Sequence, residues 1–354
     1  MVLTQNELGT IVPLSLSNLM IVGKYFNTIQ DYINLSKCCK TYEQILDLYK
    51  TNFIPIATKS EFDLFPNIET YNIYNYNDFK QTKLKKVSYI PISLSKVKRN
   101  KNKSIFYKNI KLNYKLNVEN LNLSTNITSI SYECFRNCET LKSITLPYSI
   151  TKLGECCFER CKNLKNIDLS MCVELKEIPN LCFTKCEKLE NVKLSYSVTK
   201  LGKHCFENCD KLENISLSMC ENLKELPDSC FLFCDMLKNI IVPYSITKLN
   251  EYCFADCKNL ETIDLSMCTN LRELDKYCFG GCKKLTNVIL PNSVTTICFG
   301  CFDVCENLKY INTDNIIEFG FRCFYYCNSL EYLNLNSCKL IDEECFEGCD
   351  KLKI

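Results

Sequence analysis

Cys205-Phe206-Glu207-Asn208-Cys209-Asp210-Lys211-Leu212-Glu213-Asn214-Ile215-Ser216-Leu217 decides the fold, because it is one copy of a pattern that fills most of this chain. Its opening unit, Cys-Phe-x-x-Cys, occurs ten times, beginning at Cys134, Cys157, Cys182, Cys205, Cys230, Cys253, Cys278, Cys301, Cys323 and Cys345. The steps between units are 23, 25, 23, 25, 23, 25, 23, 22 and 22 residues, so a short and a long repeat alternate and the true period is 48. The same period appears in Pro147-Tyr148-Ser149, Ser195-Tyr196-Ser197, Pro243-Tyr244-Ser245 and Pro291-Asn292-Ser293, and in Ser-Met-Cys at Ser170, Ser218 and Ser266. Self-similarity at periods of 20 to 50 residues is the signature of a stacked array.

Three residues after each second cysteine a leucine opens Leu-x-x-Ile-x-Leu, as in Leu141/Ile144/Leu146, Leu164/Ile167/Leu169, Leu212/Ile215/Leu217 and Leu260/Ile263/Leu265. Alternate inward residues predict a short strand in every repeat. One repeat of about 24 residues buries too few apolar side chains to offset the ordering of its backbone, so repeats fold only by stacking and sharing a core.

These residues resemble the BspA-like family of leucine-rich-repeat proteins, whose repeat carries Ile-Gly, Ala-Phe-x-x-Cys, Leu-x-x-Ile-x-Ile and Pro-x-Ser segments. Here the repeat reads Leu153-Gly154, Cys157-Phe158, Cys161, Leu164, Ile167 and Leu169, and again Leu201-Gly202, Cys205-Phe206, Cys209, Leu212 and Leu217. The resemblance covers residues 113–354. Cysteine replaces the family's alanine before phenylalanine in all ten repeats, and Ser-Met-Cys replaces Pro-x-Ser in the 25-residue unit. The resemblance implies a mainly β leucine-rich-repeat solenoid with short helical turns, working as a non-catalytic protein-binding scaffold or, by analogy with bacterial members, as a surface adhesin.

Twenty-eight cysteines invite a metal or disulfide reading, yet the chain has one histidine, and zinc wants four ligands from Cys-x2-Cys or Cys/His pairs. A disulfide inside each unit is disfavoured because Cβ atoms at i and i+4 of a helical turn sit about 5 to 6 Å apart. Small buried wedges beside the phenylalanine are the expectation. No metal or other cofactor is expected, and no enzyme. Nine glycines leave no phosphate-cradling loop, His204 occupies a variable position beside a packing cysteine, and acids are interleaved with lysines. A net charge of +2 gives no bias toward nucleic acid or anionic membrane.

A partner is expected on the strand-lined face, another protein. Its outward grid includes a column of asparagines and, toward the C-terminal end, Ile241, Ile289, Tyr310 and Tyr332, near Tyr325 and Tyr326. These six form the candidate docking patch, since aromatic side chains that no strand pattern requires are typical interface anchors.

The N-terminal part has another period. Leu19, Val22, Tyr25, Phe26, then Ile33, Leu35, Cys38, Tyr42, Ile45, Leu46 and Tyr49 recur at helical steps and predict two or three amphipathic helices over residues 14–49. The order Leu14, Leu19, Val22, Tyr25-Phe26, Asp31, Leu35, Cys38-Cys39-Lys40, Tyr42 resembles an F-box, with Ser15 where proline is usual and one extra residue before Asp31. That resemblance implies a substrate receptor of a cullin-type ubiquitin ligase, with Leu14, Leu19, Val22, Tyr25 and Phe26 contacting the ligase linker protein. The other expectation is a helical cap closing the array. The domains read 1–60 as this small α-helical module, 61–112 as an Asn/Tyr/Lys-rich connector holding the basic run Lys96, Lys98, Arg99, Lys101 and Lys103, and 113–354 as the solenoid of about ten repeats. With no export signal and no run of 18 apolar residues, the expected compartment is the cytoplasm or nucleus rather than the cell surface.

Overall fold

A computed structural model describes residues 15–38, 44–74 and 127–353, with Tyr42, Asp78, Leu84 and the short strands Leu3–Gln5, Ile11–Pro13, Lys85–Ser88, Ile92–Ser93, Ile105–Tyr107, Asn109–Lys111 and Asn120–Asn122. Leu14 and the basic run from Lys96 to Lys103 lie outside the described residues. The chain divides into two units, Met1–Ile110 and Lys111–Ile354.

In the second unit each repeat is one coil of a mainly β solenoid. The strands after the Cys-Phe-x-x-Cys turns pair in parallel with neighbouring coils in ladders of four, two and three strands: Ile144 is in register with Leu121 and Ile167, Ile215 with Ile240, and Ile263 with Val288. Its middle residue points in and its flanks point out, as in Asn166–Asp168 and Thr262–Asp264. A second, shorter strand closes each coil, and six of these form one parallel ladder from Glu225–Leu226 to Leu340–Ile341. Coils approach so closely at the Leu-Gly step that a Cβ on Gly202 would lie 2.3 Å from the Asn180 nitrogen of the coil before, so only glycine fits there.

The core is built of columns of like residues stacked from coil to coil. The phenylalanines from Phe135 to Phe324 are stacked with ring centroids 5.0 to 5.5 Å apart and planes within 2° to 9° of parallel. Beside them run the two cysteine columns, and the leucine and isoleucine positions fill the remainder, most of them fully buried. The second cysteine of the turn does more than pack. Its thiol donates to the phenylalanine carbonyl of an earlier coil, at 3.0 to 3.3 Å from Cys161 to Cys349. A further column alternates hydroxyl and thiol: Ser197 and Ser245 donate to the Leu175 and Leu223 carbonyls at 2.7 and 2.6 Å, and Cys220 and Cys268 point at the Ser195 and Pro243 carbonyls at 3.6 Å. The cysteines read as bland wedges are therefore also donors that satisfy carbonyls at the coil interior.

Each turn satisfies its backbone by alternation. Cys182, Cys205 and Cys230 carbonyls accept from the Phe158, Phe183 and Phe206 nitrogens at 2.8 to 3.0 Å, while Cys161 and Cys186 nitrogens bond back within their own turns. The geometry requires a left-handed residue immediately before each cysteine of all ten turns, with φ between +50° and +75°. Most of these are not glycine, and Val304 is β-branched at φ +55°. A left-handed L-residue costs roughly 1 to 2 kcal/mol, more for a branched one, while asparagine tolerates the region. Asn137 and Asn208 already occupy the equivalent position. Val304→Asn is expected to stabilise the fold by about 1 kcal/mol in chemical denaturation; a loss of stability would show that the side chain's packing outweighs the strain.

The N-terminal unit contains α1 (Leu16–Gly23), capped by Ser15, and α2 (Ile29–Ser36), whose Thr28 and Asp31 form a capping box. A 3-10 turn, Ile45–Leu48, follows, then α3 (Lys59–Asp63) with a second capping box from Thr58 and Glu61. Leu19, Tyr32, Leu35, Tyr42, Ile45 and Tyr49 lead its core. Residues 61–112, read as a connector, hold the end of α3 and the strands Thr70–Ile73, Lys85–Ser88 and Ile105–Tyr107, paired in parallel.

Candidate functional site

On the strand face, much of the asparagine column is occupied with itself. Asn191 and Asn239 amides donate to Asn166 and Asn214 side chains at 2.8 and 3.1 Å across neighbouring coils. Such a ladder ties coils together and leaves less of the column for a partner. The lysines and acids are likewise paired between coils, Lys162 with Glu187, Lys200 with Glu177, Lys238 with Glu213 and Lys276 with Glu251, at 2.8 to 3.0 Å. These exposed pairs neutralise the surface more than they stabilise it.

What stands out of this neutral surface is apolar. Ile241, Ile289, Tyr310 and Tyr332 are exposed, from 36% to 61%. Ile241 lies beside Ser216, Ile289 beside Asp264, and Tyr310 beside Asn287 on the strand face, and Tyr332 makes a parallel bridge to Lys353 of the next coil. Tyr325 and Tyr326 do not join them. They sit in a Cys-Phe-x-x-Cys turn, where Tyr326 is left-handed and donates its backbone N–H to the Glu347 carbonyl, and Arg322 lies over the Tyr325 ring at 4.6 Å. The six candidate residues therefore fall into two sets, one on strands and one in a turn.

A longer stripe escaped the sequence reading. Tyr148, Met171, Tyr196, Met219, Tyr244 and Met267 occupy the same place in six successive coils, two residues beyond the last inward leucine or valine-type position of the strand, and each is 56% to 72% exposed. At about 4.8 Å per coil the stripe is about 25 Å long. Pro-Tyr-Ser and Ser-Met-Cys were visible as markers of the 48-residue period. Their central residues alternate in one column because serine and cysteine on their C-terminal side serve as the inward pegs described above. Single exposed apolar residues are ordinary, whereas a contiguous stripe of large ones marks an interaction site.

The N-terminal candidates are also divided. Leu19 is fully buried in the helical core, so it holds the module together and has no surface to offer. Phe26 is partly buried with its ring edge-on to Tyr32 at 5.0 Å, Val22 is partly buried, and Tyr25 is 80% exposed beside an exposed Ile21.

Chemically reactive groupings are sparse. His204 pairs with Glu207 at 3.0 Å, and the neighbouring Cys205 thiol is buried 3.7 Å from that of Cys230. Burial pushes the interior thiols up, Cys172 and Cys220 to about 11 and deeper ones such as Cys161 and Cys209 further still. Raised thiols are poor nucleophiles. Among the described residues no group of three His, Cys, Asp or Glu side chains is arranged to hold a metal ion, and no helix is long and apolar enough to cross a membrane.

Comparison with known families matches the BspA type leucine rich repeat region in six copies, over residues 107–238 and 224–353. No curated protein matches the chain. Among solved structures, a leucine rich cell surface protein from Faecalibacterium prausnitzii is similar at 19% identity and TM-score 0.42, covering 68% of this chain and 88% of that one. A leucine-rich repeat protein from Bacteroides ovatus is similar at 24% identity and TM-score 0.29, covering 67% and 86%. The leucine rich repeat protein of T. pallidum is similar at 23% identity and TM-score 0.37, covering 55% and 79%.

Proposed function

The chain belongs to the BspA type leucine-rich repeat family, and on that footing we propose that it is a non-catalytic scaffold that binds another protein along the tyrosine and methionine stripe and the neighbouring strand face. The observation that carries this reading is the stripe itself, six exposed apolar side chains in register on a surface otherwise neutralised by paired charges. Folding does not need them there. Tyrosine supplies rigid contact area, and methionine adapts to a partner's shape.

The test is a quantitative pull-down with the full chain and with Tyr196→Ser/Met219→Ser/Tyr244→Ser. Since the three side chains are exposed, the variant should unfold at the same temperature as the parent. At roughly 2 kcal/mol per central anchor, its affinity for the genuine partner should fall by at least about 100-fold. A partner retained equally by both chains sinks the stripe.

A second reading, the F-box-like receptor, is supported by the order Leu35, Cys38, Tyr42 and by the exposed Ile21 and Tyr25 on and beside α1. It places the chain in the cytoplasm or nucleus. The same pull-down decides it: recovery of the cullin linker protein, lost on Tyr25→Ala, selects the receptor. A surface adhesin is the third reading and predicts an extracellular partner.

A further inference from the structure

At the two x positions every other Cys-Phe-x-x-Cys turn carries at least one side chain, whereas the turn from Cys278 to Cys282 has Gly280 and Gly281 there. The flanking turns carry Ala255-Asp256 and Asp303-Val304. Asp256 donates its N–H to the Gly280 carbonyl and Gly281 donates to the Asp303 carbonyl, both at 2.7 Å, so the three turns lie side by side. The two missing side chains leave a groove of about 450 Å³ walled by Phe233, Tyr252, Tyr277 and Val304. Tyr252 and Tyr277 stack at 5.1 Å, and Phe299 holds Tyr277 from the other side, edge-on at 4.9 Å.

Two carboxylates, Asp256 and Asp303, line the groove together with one cation, Lys283. Asp256 Oδ1 lies 2.6 Å from the point where a Cβ on Gly281 would sit, so this carboxylate leans over the glycine floor. Asp303 Oδ1 is buried and has no hydrogen-bond partner. The cations around them are engaged elsewhere: Lys258 with Asp235 at 3.1 Å, Lys283 with Glu306 at 2.8 Å, Arg322 with Glu344 at 2.6 Å. Burial raises both carboxyls above their ordinary value, as expected of charge held in an apolar wall without a direct counter-ion.

The geometry points to a guanidinium-binding groove, in which an arginine side chain of a partner peptide lies over Gly280 and Gly281 with its planar head between Asp256 and Asp303. The two acidic turns are two coils apart, about 10 Å at the backbone. A planar group with donors on both edges can engage both carboxylates, and a compact ammonium serves one of them at a time. The apolar stem of arginine lies against the tyrosine rings and Val304. This site is on the turn side of the coil, and its occupation does not require the tyrosine and methionine stripe.

The experiment is calorimetric titration of the full chain with Nα-acetyl-arginine amide, with the citrulline and lysine analogues as controls. Saturable millimolar binding of the arginine probe is expected, with citrulline at least about tenfold weaker and lysine between them. Asp303→Asn removes an unpartnered buried charge, so it should fold at least as well as the parent and bind the probe about tenfold less tightly. Gly280→Ala, whose Cβ would stand 3.1 Å from the Tyr277 ring and 3.5 Å from the Gly300 carbonyl oxygen, raises the floor without meeting Asp256 and should weaken binding. Equal binding of citrulline and arginine, no effect of Asp303→Asn, or no saturable heat overturns the proposal. The triple stripe variant separates the two sites: it should lose the partner and keep the arginine probe.

Discussion

Phe231→Ala is expected to destabilise the solenoid by about 5 kcal/mol and to split its unfolding into two transitions. The ring is fully buried and stacked between Phe206 and Phe254 at 5.4 and 5.5 Å, within 5° and 2° of parallel. Truncating a buried phenylalanine costs roughly 3 to 5 kcal/mol, and two aromatic neighbours each add about 0.5 to 1.5. In a stacked array every coil contacts only its neighbours, so a hole at the middle of the column weakens the coupling between the coils on either side. Phe346→Ala is the control. That ring ends the described stack, has Phe324 on one side at 6.0 Å and 20°, and is partly exposed, so its loss should cost about a third as much and leave one transition. Urea unfolding followed by far-ultraviolet circular dichroism distinguishes the outcomes. Equal costs at the two positions would mean that the phenylalanine column is not a continuous core element.

The array was legible because its two strongest signals are periodic. Cys-Phe-x-x-Cys marks where each coil turns, and Leu-x-x-Ile-x-Leu marks which strand residues face inward; Phe183, Leu189 and Leu237 are buried where that pattern places them. The turn's backbone was not legible. Left-handed residues are usually read from glycine, and here Leu181, Phe233 and Tyr252 occupy such positions because hydrogen bonds to the adjoining coils hold them there. Nor did the letter Cys say that Cys257 or Cys282 donates to a carbonyl, since donor geometry depends on the stacking of coils 26 to 28 residues apart. On the surface, the exposed Ile241 and Tyr310 were legible from strand alternation. The Tyr148 to Met267 stripe lies beyond the strand, where no periodicity of 2 applies, and needed coil alignment to appear. In the N-terminal part, helical spacing located α1 and α2. The parallel strands after Ile68 were hidden by an Asn- and Tyr-rich composition without clear alternation.

Raising the pH should unfold this protein far earlier than its modest charge would imply. Fifteen thiols, from Cys157 to Cys327, are fully buried and pushed above the ordinary value of 9.0, in each case chiefly by loss of solvation. In the folded chain these groups keep their protons as pH passes 9, and in the unfolded chain they release them. The unfolded state then binds fewer protons, so stability is intact below 9 and falls as pH rises through it. At the ordinary value each thiol favours the unfolded state by about 0.4 kcal/mol, about 6 kcal/mol for the set, against a net stability of about 10 kcal/mol. The midpoint should therefore lie near pH ~9.3 in the presence of reductant. Replacing Cys209, Cys234, Cys257, Cys282 and Cys305 by serine keeps a donor for the carbonyls they face and removes a third of the ionisable set. It should raise the midpoint by about 0.3 pH unit. Tyrosine and lysine titration is common to both chains, so the difference between them reports the thiols. A far-ultraviolet spectrum still native at pH 10.5, where the thiols alone would favour unfolding by about 30 kcal/mol, would mean that the interior lets them ionise in place, and the two cysteine columns would then have to be wet.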